Sequence, residues 1–246
     1  MEPVYRQSFE ICDIHLDCFG RVKPPVLLYF VQEVSGKHAS QLSAGWDTLN
    51  AQHLFWAIIR QKVQVTRLPV SGETITLETW PMPTTRVAYP RATVAYDAQG
   101  NELFRTHALW VLMDTNTRAM VLPGKSGVTV NGVLRGGELD APGSLSPKDL
   151  PNTVCRQVTY AELDRNLHMN NTRYMDWIDG LLPSQFHESH PVKEFTVCYL
   201  SEAREGQSVQ LHWALNEEQV LLVEAHRKNT DVHGKNDRIF AAQLRF

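Results

Sequence analysis

The chain has 246 residues, 43% of them hydrophobic and 21% charged, with a formal net charge of −3. That length fits one large domain or two small ones, and it can bury a core without disulfide or metal staples. The longest apolar runs, such as 26–31 and 108–113, hold six residues each, far short of the about 20 that a membrane-spanning helix needs. The start, MEPVYRQSFEICD, lacks the basic and apolar regions of a secretory signal, so the expected compartment is the cytoplasm. No block of like charge suggests nucleic-acid binding.

Taken in order, the first predicted element is an alternating segment near 4–16. Pro24 and Pro25 then open a helix on which Leu27, Phe30, Val31, Val34 and Leu42 share one face. Strands follow near 54–67, 73–80, 87–97 and 102–113. On the last of these Phe104, Ala108, Trp110 and Leu112 alternate, and Thr106 interrupts the apolar series. The stretch 123–151 holds six of the 14 glycines and four of the 13 prolines, and reads as a linker between residues 1–122 and 152–246.

The second half repeats the order. A strand near 152–160 precedes a polar loop. Then comes a helix with Tyr174, Trp177, Ile178 and Leu181 at i, i+3, i+4 and i+7, and strands near 193–200, 207–215, 219–227 and 238–246. Val65-x-x-Leu68 leading to Gly72 and Trp80 is echoed by Val197-x-x-Leu200 leading to Gly206 and Trp213. One helix beside a run of mostly antiparallel strands, twice, predicts an α+β fold. The four cysteines form no C-x-x-C pair and are expected to be reduced and mostly buried.

The chemistry-bearing segment is DRNLHMNNTRY, residues 164–174. In an extended chain Asp164, Asn166 and His168 point to one side. Asn170 and Asn171 suit a helix N-terminus, where free N–H groups favour negative charge and would support an oxyanion. A carboxylate, an imidazole and an amide suit hydrolysis. A calcium loop fails, because Met169 and Met175 stand where Gly and Glu belong. No G-x-S-x-G, G-x-G-x-x-G or phosphate-binding loop occurs. His187 and His190 read as a solvated turn, and neither metal nor cofactor is expected.

With these residues in view, the sequence resembles the acyl-acyl carrier protein thioesterases over nearly its whole length. The carriers of the resemblance are D-x-N-x-H-x-N-N-x-x-Y at 164–174, PPVLLYFVQEVSGKHASQLSAG, FWAIIRQKVQVTRLPVSGETITLETW, and FTVCYLSE at 195–202. The resemblance implies a tandem (double) hotdog, each half a curved antiparallel sheet around a central helix. It implies hydrolysis of a fatty acyl thioester on acyl carrier protein. Its catalytic set falls on Asp164, Asn166, His168 and Glu202, with Asn170 and Asn171 supporting the loop.

By the same resemblance the N-terminal half holds the acyl chain, with Phe30, Val31, Val34 and His38 as lining candidates. Plant members carry a cysteine after the glutamate; here Ala203 stands there, so direct attack by water is expected. The first half, at GRVKPPVLLYF, shows no matching Asp/Asn/His cluster. The implied partner is an acidic acyl carrier protein, with Arg60, Lys62, Arg86, Arg91 and Arg173 as candidate contacts, and a homodimer is compatible with the chain. An acyl-CoA thioesterase and a non-catalytic acyl-binding module are the competing readings.

Overall fold

The computed structural model describes residues 2–146, 149–228 and 238–246. The chain divides into two compact units, Met1–Pro142 and Gly143–Phe246. The division falls inside the Gly/Pro stretch, whose Pro147 and Lys148 lie outside the described residues.

The first unit begins with β1 (Tyr5–Glu10) and a single 3-10 turn at Asp13–His15. Then come α1 (Pro24–Gln41) and the short α2 (Trp46–Asn50). The strands β2 (Leu54–Val65), β3 (Thr74–Pro81), β4 (Tyr89–Tyr96) and β5 (Glu102–Asp114) follow, with the two-residue β6 (Met120–Val121) and α3 (Pro123–Ser126). Its sheet runs β1-β3-β4-β5-β2, every pair antiparallel, with β6 on β5.

Pro24 and Pro25 start α1 because an N-terminal helical position has no N–H to lose and the ring presets φ. Leu27, Phe30, Val31 and Val34 are buried on it, and Leu42 is its C-cap rather than a member of the face. The Gly/Pro stretch up to Pro142 packs with this unit. Val128 and Val130 lie against Leu54, Tyr89 and Leu112, and Val133 lies against Trp80 and Val94. Arg135 sits 4.8 Å over the Trp80 ring and pairs with the buried Glu78.

The second unit repeats the plan. It holds β7 (Asn152–Gln157), a 3-10 turn at Tyr160–Glu162, α4 (Arg173–Asp179) and α5 (Ser184–Ser189). Four strands complete it: β8 (Glu194–Tyr199), β9 (Ser208–Leu215), β10 (Val220–Arg227) and β11 (Arg238–Arg245). The order β8-β11-β10-β9-β7, again antiparallel, mirrors β2-β5-β4-β3-β1 strand for strand. The architecture is α+β in both units.

Several expectations need correction. The second helix stops at Asp179, with Gly180 as its C-cap, so Leu181 lies just beyond the turn it was assigned to. His187 is on α5, its ring on the Asp179 carbonyl at 3.1 Å, and His190 stacks on Phe186; both are packed against neighbours rather than solvated in a turn. Cys12, Cys18 and Cys155 are exposed and only Cys198 is buried. Cys155 lies on an edge strand whose residues are largely exposed, and the other two flank a surface turn, so the usual burial of a free thiol does not operate there.

Candidate active site

The segment 164–169 is not extended. It folds back on itself, with the Asp164 N–H donating to the His168 carbonyl at 2.8 Å and an antiparallel bridge between Leu163 and Met169. Asp164 is the reason. Its Oδ1 accepts the N–H groups of Asn166 (2.8 Å) and His168 (3.2 Å), and its Oδ2 lies 3.4 Å from the Asn166 amide nitrogen. This is the tendency of Asp to take its own chain's N–H two residues on. Turning the chain so tightly puts Leu167 at φ 62°, a region that costs a branched side chain on the order of 1 kcal/mol.

The fold-back buries His168 and turns its imidazole toward the segment after β8. There His168 Nε2 lies 3.0 Å from Glu202 Oε2, the imidazole almost covered and the Glu202 side chain 33% exposed. A carboxylate only accepts, so with Glu202 ionised the Nε2 carries the proton and donates. Arg204 comes within 3.9 Å of the same Glu202 oxygen. The two segments are tied by the Met169 N–H on the Ala203 carbonyl at 2.8 Å. Thus Asp164 bonds to Asn166 and to the His168 backbone, and the His168 imidazole to Glu202, all four residues belonging to the second unit.

The helix start differs from expectation. Thr172, not Asn170 or Asn171, is the N-cap of α4. Asn170 Oδ1 accepts the N–H (3.0 Å) and hydroxyl (2.9 Å) of Thr172, while Asn170 N–H donates to the Glu162 carbonyl. Asn170 therefore shapes the entry to the helix. Glu162, which sequence reasoning passed over, accepts from Trp177 Nε1 at 2.6 Å and closes a capping box with Thr159. The signal was readable as T-x-x-E before the motif.

Tyr174 of the motif is buried beneath this site. Burial pushes its phenol far above the ordinary range, against the pull of a hydrogen bond with the Ala203 backbone. Arg173 pairs with Asp176 at 3.3 Å. Cys198 is buried on β8 with its Sγ against the Gly143 carbonyl, and Ala203 is fully buried.

The first unit keeps the frame of this site without its Asn, His and Glu. Asp17 Oδ1 accepts the N–H groups of Phe19 and Arg21, both at 2.9 Å, and Gly20 (φ 76°) occupies the place of Leu167. The Val22 N–H donates to the Pro69 carbonyl, as Met169 does to Ala203. Phe19, Arg21 and Leu68 therefore stand where Asn166, His168 and Glu202 stand, and of the set the first unit keeps the Asp alone.

The lining candidates Phe30, Val31, Val34 and His38 are all buried on α1. Phe30 meets the rings of Phe9 and His15. His38 Nδ1 faces Arg91 NH1 at 3.1 Å. Burial first, and the Arg91 cation second, hold the His38 imidazole below its ordinary value. Arg91 is itself buried, its guanidinium pushed down to about 10 by desolvation, and it also reaches Thr79 Oγ1 at 3.2 Å. That removes it from the surface set suggested for an acidic partner. Thr106 Oγ1 is buried with no hydrogen-bond partner among the described residues.

Family models for the acyl-ACP thioesterase N-terminal and C-terminal domains match residues 2–122 and 148–243. Among curated proteins, the chain is 26% identical over 215 residues to a chloroplastic dodecanoyl-[acyl-carrier-protein] hydrolase of Cinnamomum camphora, covering 81% of this chain and 56% of that one. It is 21% identical to oleoyl-acyl carrier protein thioesterase 1 of Arabidopsis thaliana, covering 83% and 62%. The chain thus spans little more than half the length of these relatives.

Two solved structures share the fold. An acyl-ACP thioesterase from Bacteroides thetaiotaomicron superposes with a TM-score of 0.88 at 21% identity, covering 99% of this chain and 98% of that one. The 12:0-ACP thioesterase from Umbellularia californica gives 0.83 at 21% identity, covering 100% and 97%. The tandem hotdog expected from the resemblance is the fold of this chain. With both domain models matched in order along one chain, the protein belongs to the acyl-ACP thioesterase family.

Proposed function

We propose that the protein hydrolyses fatty acyl thioesters carried on acyl carrier protein, releasing the free fatty acid. The observation that carries the mechanism is the His168 Nε2–Glu202 Oε2 contact of 3.0 Å, held by the Asp164 fold-back. Glu202 is the member of the pair that water can reach, so it takes a proton from the attacking water. Its carboxylate is oriented by the buried imidazole N–H. Hydroxide oxygen bonds to the thioester carbon, the carbonyl electrons move to oxygen, and on collapse the C–S bond breaks. The proton held by the Glu202–His168 pair then leaves with the carrier thiolate. Asn166, with its amide beside Asp164, contacts the substrate carbonyl or the water. Asp164 acts on the backbone, holding Asn166 and His168 in place.

In this reading the second unit supplies the chemistry, and Phe30, Val31, Val34 and His38 of the first line the acyl chain's path. The carrier is acidic, and Arg60, Lys62, Arg86 and Arg173 remain candidates for meeting it. The test is thiol release from acyl carrier proteins loaded with C8 to C18 chains, against the same chains on CoA. Turnover is expected on the carrier protein and is expected to fall by roughly 10²–10⁴-fold in His168→Ala and Glu202→Gln. Equal or better turnover on CoA would replace the carrier, and retained turnover in both variants would remove the site.

A further inference from the structure

The peptide that presents Glu202 is gripped from three directions. Met169 donates its N–H to the Ala203 carbonyl, and the buried Tyr174 shares a hydrogen bond with the Ala203 backbone. The third grip comes from Arg227, the last residue of β10, whose guanidinium donates to the Glu202 carbonyl oxygen. None of the three is in the catalytic set implied by the motif. Met169 and Tyr174 belong to the fold-back and helix that carry His168. Arg227 lies on another strand, so it fixes Glu202 to the sheet.

The internal repeat gives an independent control. β9 pairs Leu211 with Ala225, as β3 pairs Leu77 with Ala95. Two residues further along, the place of Arg227 in the first unit is held by Asp97. Asp97 accepts the N–H groups of Gln99 (3.0 Å) and Asn101 (2.8 Å) of its own turn and lies 3.7 Å from Arg67. Leu68 stands there in place of Glu202, so no carboxylate needs to be aimed. The arginine is present in the unit with the His–Glu pair and replaced by an acid in the unit without it. The acid closes a surface turn in its own unit, whereas the arginine reaches the main chain of the residue that pairs with His168.

We propose that Arg227 is a positioning residue for the hydrolysis: by holding the Glu202 carbonyl it fixes the reach of the Glu202 carboxylate to His168 Nε2. The proposal rests on the thioesterase reading for its rate effect, but its geometric part can be read without turnover. A strong, charge-assisted bond to a main-chain oxygen restrains the peptide rather than the carboxylate's charge. Small errors in the placement of a catalytic group are expensive in rate.

The experiment compares wild type, Arg227→Met and Arg227→Lys as full-length protein, with Glu202→Gln as the reference for a lost pair. It measures kcat and KM on acyl carrier protein substrate, the ¹⁵N resonance of His168 Nε2, and Tm. Arg227→Met is expected to lower kcat by about tenfold with KM little changed, and to move the His168 resonance toward its position in Glu202→Gln. Arg227→Lys, which keeps a charged donor, should recover most of both. An unmoved resonance with wild-type kcat would overturn the proposal. So would equal losses in Met and Lys variants that track a lowered Tm. If wild type hydrolyses no acyl-carrier substrate, the thioesterase reading fails, while the resonance still decides whether Arg227 holds the pair.

Discussion

Asp164 commits its carboxylate to the N–H groups of Asn166 and His168. Asp164→Ala would leave two partly buried donors without that acceptor, a loss of about 1–3 kcal/mol. Denaturant melts should show it, and activity should fall because the segment carrying His168 loosens. Asp164→Asn keeps one oxygen acceptor and should retain more of both. A full loss of activity in Asp164→Asn with unchanged stability would instead give the carboxylate a direct chemical role.

His38 supports a pH prediction. Its charged form is disfavoured in the fold, by burial and then by Arg91. The unfolded chain therefore binds a proton that the folded chain resists once pH drops below the ordinary imidazole value of about 6.5. Stability should fall from pH 7 toward pH 5. The same fall should be shallower in His38→Gln, measured by Tm across that range. Parallel curves for the two proteins would show that His38 stays accessible to protons.

At the scale of elements, α4 has only seven residues and would be marginal in isolation. It is held by Tyr174, Met175, Trp177 and Ile178 against the sheet, and by the bond from Trp177 Nε1 to Glu162. Glu162→Ala removes that acceptor and the capping box with Thr159, for a loss of about 2 kcal/mol. The measurement is the denaturation midpoint. Glu162→Gln, which preserves an acceptor, should lose less.

Strands and helices were legible here because period-2 and 3.6-residue apolar patterns survive in both units. All four long strands of each half fall within a few residues of expectation. What the pattern could not give was the shape of 164–169. Alternation of Asp164, Asn166 and His168 suggests an extended arm, but the Asp carboxylate competes for the backbone and folds it. Burial of the cysteines was also misread, since it depends on which strand forms the edge, for Cys155, and on where the chain turns at the surface, for Cys12 and Cys18.

For the whole molecule, the frame built on Asp17 persists in the first unit while Phe19, Arg21 and Leu68 stand in the places of Asn166, His168 and Glu202. If the first unit sets the acyl chain, Val34→Ala on α1 should shift the preferred chain toward greater length. Its stability cost should be about 1–3 kcal/mol, since Val34 is fully buried. Product profiling over C8 to C18 carriers checks this, and an unchanged profile would return Val34 to a packing role.

By itself the sequence determined the α+β class, the doubled order of elements, and the Asp164, Asn166 and His168 cluster, because apolar periodicity and a dense polar motif are local properties of the chain; Glu202 was marked only by the resemblance to a family. Only the tertiary structure decided how those residues meet. Glu202 lies 34 residues after His168, and the contact between them depends on two loops being tied by the Met169–Ala203 bond. Arg227, further still along the chain, bears on Glu202 through a main-chain oxygen. No spacing in the sequence encodes such a contact, because any residue type has that carbonyl to offer.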